Sequence, residues 1–87
     1  MSTEAPIPKR IKELRTQKGW SQTKLGVEIG LDEGTASARI NRYEKGVHVP
    51  DYSTLKKLAA VLDVPVFYFW VEDEELELVK TLLGNRN

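Results

Sequence analysis

The stretch from Thr35 to Lys45, TASARINRYEK, holds the residues best suited to chemistry in this chain. Thr35, Ser37, Arg39, Asn41, Arg42 and Lys45 bring hydrogen-bond donors, and Ala38 among them brings only a methyl group. Ala36, Ile40 and Tyr43 recur at helical spacing and supply an inner face. The outer face is rich in donors and poor in bulk, a surface that a DNA major groove can accept. Other chemistry is scarce. There is no cysteine and one histidine, His48, in a loop. Disulfides, thiolate nucleophiles and zinc–cysteine sites are excluded, and a lone loop histidine makes neither a metal site nor a catalyst. No glycine-rich phosphate loop is present. The acidic run from Glu72 to Glu77 lacks calcium-loop spacing and reads as the start of a helix, where acids favour the dipole. The expectation is a protein that is not an enzyme and needs neither metal nor cofactor.

The elements that must position this stretch follow from caps and periodicity. Ser21 predicts the N-cap of a helix over 21–29, with Leu25, Ile29 and then Leu31 apolar and Gly30 as its stop. Asp32 predicts a second cap, for a helix over about 33–45 that Gly46 closes. Upstream, Pro8 suits the first turn of a helix running to about Lys18 with Ile11 and Leu14 inward. Downstream, Asp51 caps a helix whose inward residues are Tyr52, Leu55, Leu58, Ala59 and Leu62. Val64 to Trp70 begins another helix, and residues 72–83 form a further amphipathic one with the stripe Leu76, Val79, Leu82 and Leu83. Residues 1–6 read as a disordered arm and 84–87 as a frayed tail.

Eighty-seven residues make one domain, long enough for a single core. No basic and apolar leader is visible at the N-terminus, and the apolar run Val64–Val71 falls far short of the roughly 18 residues of a membrane span. With no cysteine, a cytoplasmic location away from membranes is expected. Net charge is zero, but its distribution is polar. Through residue 48 there are nine basic and six acidic side chains; from residue 49 onward there are four and seven. The basic half contains the two paired helices, an arrangement that would orient the molecule on a polyanion.

The residues Leu14-Arg15, Gly19-Trp20-Ser21-Gln22, Leu25-Gly26, Ile29-Gly30-Leu31, Ile40 to Gly46, Pro50, Leu55, Leu58-Ala59, Leu62 and Val64-Pro65-Val66 stand in an order and spacing that resembles the Cro/lambda-repressor type of helix-turn-helix domain. The resemblance covers roughly residues 8–70. It implies an all-α fold: a compact lambda-repressor-like bundle of about five helices over 7–70, with the C-terminal amphipathic helix over 71–83 added. It also implies roles. Ser37, Ala38 and Arg42 match base-facing positions, with Arg39 and Asn41 on their flanks. Arg42 can pair with guanine, Asn41 with adenine, and Ala38 can pack on a thymine methyl. Ser21, Gln22, Lys24 and Lys45, helped by Lys9 and Arg10, would meet phosphates, and Gln22 can also brace the recognition helix. Arg15 and Glu44 would form a structural ion pair, and Trp20 would be core. Gly26 falls where the family has alanine, against the recognition helix. In one respect the chain departs from the pattern: Gly30 to Gly46 is longer by about four residues, close to one helical turn. That turn is placed at Asp32–Thr35, so Thr35 either reaches further toward DNA or touches only its backbone.

The resemblance puts Val66, Phe69 and Trp70 inside, leaving Phe67 and Tyr68 outside. Phe67, Tyr68, Leu76, Val79, Leu82 and Leu83 then form spare apolar surface. The C-terminal helix could fold back as a cover or pair with a second copy. The leading expectation is a small transcriptional repressor that binds double-stranded DNA as a homodimer on an inverted repeat, with no small-molecule effector. The rival is a protein-interaction or antitoxin-like module that keeps the fold without binding DNA.

Overall fold

The computed structural model describes residues 5–84, so most of the expected arm and tail lies outside the described residues. The chain is all-α. Helix α1 spans Ile7–Gln17, α2 Gln22–Glu28, α3 Glu33–Glu44 and α4 Tyr52–Leu62; a 3₁₀ turn covers Val66–Trp70 and α5 covers Asp73–Gly84. Gly84, expected in the tail, is the last residue of α5. Among the described residues no helix is long and apolar enough to cross a membrane.

Side-chain caps set two of these starts. Ser21 Oγ accepts the Lys24 N–H at 3.0 Å, and Asp51 Oδ1 accepts the Thr54 N–H at 2.8 Å. Asp32 occupies the N-cap of α3 with an extended backbone, but its side chain makes no capping bond. Its carbonyl oxygen instead accepts from the Thr35 N–H at 3.1 Å and from Thr35 Oγ1 at 3.3 Å. The corner between α2 and α3 turns on Gly30, whose φ of +96° is closed to most side chains. There the Gly30 N–H bonds Val27 O and the Leu31 N–H bonds Gly26 O, satisfying the last carbonyls of α2.

The core joins Ile7, Ile11 and Leu14 of α1, Leu25 and Ile29 near α2, and Ile40 and Tyr43 of α3 to Leu55, Leu58, Ala59 and Leu62 of α4, with Tyr68 and Phe69 from the 3₁₀ turn. Helix α2 meets α3 where Gly26 faces Ala36: a β-carbon on Gly26 would lie 2.5 Å from Ala36 Cβ. This close approach seats α3 against α2.

Three expectations about the second half need correction. The sequence pattern places Tyr52 inward, but it is 58% exposed. It heads α4, and helical side chains lean toward the N-terminus, which carries its ring past the edge of the core. Lys56 Nζ lies 5.1 Å from the ring centroid. Tyr68 and Trp70 exchange roles: Tyr68 is 4% exposed and Trp70 is 44% exposed. The cause is the 3₁₀ turn, in which residues three apart share a face. Val66 and Phe69 lie inward together, Tyr68 and Val71 inward together, and Phe67 and Trp70 outward together. The stripe on α5 also splits. Leu76, Val79 and Leu83 pack partly buried against the chain's own core, whereas Leu82 is exposed, as is Leu78.

Candidate nucleic-acid interface

The outer face of α3 follows from its inner face. With Ala36, Ile40 and Tyr43 buried, the helical period turns Ser37, Ala38, Asn41, Arg42 and Lys45 to the opposite side. Ser37, Ala38, Arg42 and Lys45 are exposed and Asn41 is half-buried; Arg39 and Thr35, both exposed, lie at the edge. Among the described residues Arg39, Arg42 and Lys45 make no ion pair.

A chain of polar contacts holds this face from behind. Arg15 donates from Nε and Nη2 to the two carboxylate oxygens of Glu44, at 2.6 and 3.1 Å, and from Nη1 to Trp20 O at 2.8 Å. The Glu44 carboxylate is 4% exposed. Gln22 Nε2 donates to Glu44 Oε1 at 3.1 Å, and Ser37 Oγ donates to Gln22 Oε1 at 3.3 Å. Helices α1, α2 and α3 are thus linked through charged and neutral bonds that end on the outer face of α3. The two-pronged Arg15–Glu44 geometry fixes orientation as well as distance. Gln22, expected at a phosphate, has both ends of its amide engaged in this brace, and the Ser21 hydroxyl is engaged in its cap.

The other expected phosphate contacts divide. Lys24 is exposed, pairs with Glu28 at 3.0 Å and lies over the Trp20 ring, as does Lys18. Trp20 itself is half-buried against the core. Arg10 contradicts its expected role: it is 0% exposed and cannot meet a phosphate. Its Nε and Nη2 donate to Val71 O at 3.1 and 2.8 Å, Nη2 also to Asp73 Oδ1 at 2.7 Å, and Nη1 to Glu13 Oε1 at 2.9 Å. Burial works against the guanidinium charge, but the bonds to Asp73 and Glu13 outweigh it and raise its pKa above the ordinary arginine value. Lys9, exposed, pairs with the same Asp73. Lys9 and then Arg10 hold that carboxyl below its usual range. These α1 cations clasp the start of α5.

Sequence reasoning assigns His48 no chemistry, yet the structure places it beside α3. It borders a polar cleft with Arg39, Arg42, Asp51 and Thr54, between the second half of α3 and the start of α4. The signal available in the sequence is its position two residues past Gly46. Of the residues expected to form a second-copy surface, Phe67 and Leu82 are exposed, Tyr68 is buried, and Leu76, Val79 and Leu83 face inward. Leu78 is an exposed apolar residue that the sequence pattern does not single out, and Trp70, expected inside, is exposed as well.

The helix-turn-helix family model matches residues 11–69, and the chain belongs to that family. It is 36% identical over 64 residues to an HTH-type transcriptional regulator of Sinorhizobium medicae, covering 74% of this chain and 43% of that protein. The chain therefore spans under half the length of that relative. Among solved structures it resembles the transcriptional regulator BswR, with a TM-score of 0.82 and 37% identity over 93% of this chain and 80% of that one. It also resembles the biofilm regulator SinR, crystallised in complex with DNA, with a TM-score of 0.62 and 31% identity over 72% of this chain and 95% of that one. With BswR and SinR it shares the lambda-repressor-like arrangement of helices.

Proposed function

We propose that the chain is a cytoplasmic, sequence-specific regulator of transcription that binds double-stranded DNA, a small repressor reading an inverted repeat through the major groove. The observation that carries this reading is the outer face of α3. It is exposed, bears two arginines and a lysine without acidic partners among the described residues, and is braced by the Arg15–Glu44–Gln22–Ser37 chain. The DNA complex of the similar SinR supports it. In this reading Ser37, Ala38, Asn41 and Arg42 face bases, Arg39 and Thr35 lie at the margin, and Lys24 and Lys45 meet phosphates. Arginine suits guanine because its planar fork matches two acceptors on the base edge.

A single short helix reads few base pairs, so two recognition helices about 34 Å apart are the expected solution. Half-exposed Phe67 and Trp70, with exposed Leu78 and Leu82, supply apolar surface for a homodimer in the acidic half, away from α3. Selection of bound duplexes from a random pool tests the proposal. Enrichment of a two-fold symmetric sequence is expected. A pool that stays random after repeated rounds refutes sequence-specific binding and favours the protein-interaction reading, for which the same aromatic pair would be the docking point.

A further inference from the structure

We infer that Gly34 sets how deeply α3 enters the major groove, and that its missing side chain determines specificity: a larger residue there lifts the helix off the base edges. The inference rests on the DNA-binding reading above and adds to it a residue without a role there. Glu33 to Thr35 form the first turn of α3, with Asp32 at the N-cap. Gly34 precedes Ala38 by four positions and Asn41 by seven, so it lies on their outer face, one turn ahead of Ala38. It is exposed, on the side opposite the buried Ala36, Ile40 and Tyr43.

The fold itself gives no reason for glycine at this position. The backbone of Gly34 is helical, whereas the glycines that need a positive φ are Gly19, Gly30 and Gly46. A β-carbon on Gly34 would meet no neighbouring element within 4 Å among the described residues, in contrast to one on Gly26, which would collide with Ala36. Glycine in a helix weakens the fold, because the unfolded chain has more freedom to lose. An open, outward glycine of this kind is explained by what approaches from outside. In the DNA reading that is the edge of a base pair, because the leading residues of a recognition helix meet the bases. A helix with its side chains is about 10–12 Å across and the major groove about 12 Å wide, so the outermost side chain decides how close the axis comes. A side chain at Gly34 would hold the leading turn away and lift Ser37 and Ala38 from their bases. Lys24 and Lys45, with long flexible stems, would still reach phosphates.

The test compares the parent with Gly34→Ala and Gly34→Leu. Fluorescence anisotropy gives the affinity of each whole chain for the duplex enriched from the random pool and for a mixed-sequence duplex of equal length at the same salt. Circular dichroism gives the melting temperature. Gly34→Ala should melt about 2–8 °C above the parent. It should nevertheless bind the enriched duplex several-fold more weakly. Gly34→Leu should lose about tenfold or more on the enriched duplex. Both variants should stay within about twofold of the parent on the mixed duplex, where phosphate contacts carry the affinity. A Gly34→Leu protein with the parent's ratio of the two affinities, or a Gly34→Ala protein that melts below the parent, overturns the inference and leaves DNA binding standing. A parent that binds the two duplexes equally, or neither, overturns the sequence-specific reading on which it rests.

Discussion

Alanine in place of Gly26 tests the seam on which α3 rests. A β-carbon there would lie 2.5 Å from Ala36 Cβ, 2.9 Å from its Cα and 3.0 Å from its carbonyl oxygen. Carbon atoms in contact sit about 3.5–4.0 Å apart, so the shortfall is about 1 Å. Two of the three obstructing atoms are backbone, so no rotamer change relieves them and α3 must move. Overpacking costs about 1–3 kcal/mol, and because backbone is in the way Gly26→Ala belongs in the upper part of that range, about 2–3 kcal/mol. Replacing a helical glycine by alanine recovers about 1 kcal/mol of that. A net loss of about 1–2 kcal/mol is expected, roughly 4–15 °C in melting temperature for a domain of this size. Ala36→Gly alone should cost about 1–2 kcal/mol through helix propensity and one buried methyl. Joined to Gly26→Ala it removes the 2.5 Å contact but leaves the 2.9 and 3.0 Å ones. The double variant should therefore be about 1 kcal/mol more stable than the sum of the single losses implies. Urea and thermal unfolding of the four proteins by circular dichroism closes the cycle. Strict additivity, or a Gly26→Ala protein as stable as the parent, would refute the claim that α2 and α3 are held by this contact.

Glu44→Ala should destabilise the fold by on the order of 3 kcal/mol, because Arg15 is left charged and largely enclosed; a change near zero in urea unfolding would mean that water replaces the carboxylate. Arg42→Ala should weaken the selected site by about 1–3 kcal/mol and flatten the preference at one base position, read by repeating the selection with the variant. Asp73 is held below its usual range by Lys9 and Arg10, so its contribution is present above the unfolded carboxyl value near about 3.9 and is lost as pH falls through the folded value. Melting temperature should thus fall more steeply below about pH 4 in the parent than in Asp73→Asn, and parallel acid limbs would argue against the clasp. Sedimentation at micromolar concentration should show a dimer that the double variant Leu78→Glu, Leu82→Glu converts to monomer; an unaltered dimer would move the interface elsewhere.

The parts of the fold that local rules govern are legible in the chain itself. Caps at Ser21 and Asp51, the stops at Gly30 and Gly46 and the inner residues of α3 depend on neighbours a few positions away. The misread parts depend on something else. Tyr68 and Trp70 change places because the segment winds with three residues per turn, and nothing in Val-Phe-Tyr-Phe-Trp signals which period it takes. Arg10 reads as surface charge because its partners, Val71 and Asp73, are about sixty positions distant. The brace from Gln22 to Ser37 likewise crosses between helices: the resemblance offers Gln22 as a brace of the recognition helix, but Ser37, its partner there, reads only as a base contact. His48 gains its place from the loop's return against Arg42, a tertiary fact.

The Arg10 clasp bears on where this module can be cut. The segment that matches the family begins one residue after Arg10 and ends two before Val71. The guanidinium and two of the groups it grips, Val71 O and the Asp73 carboxylate, therefore stand just outside that segment, at opposite ends, and fasten the two ends to each other. A chain trimmed to the matched segment would discard both halves of the fastening. One that kept Arg10 but stopped at Trp70 would enclose a cation with Glu13 as its remaining partner from this set. A portable version, for grafting onto another chain or swapping between regulators, has to begin ahead of Lys9 and run beyond Asp73. The first turn of α5 travels with it as a fastener, whatever the rest of that helix is used for.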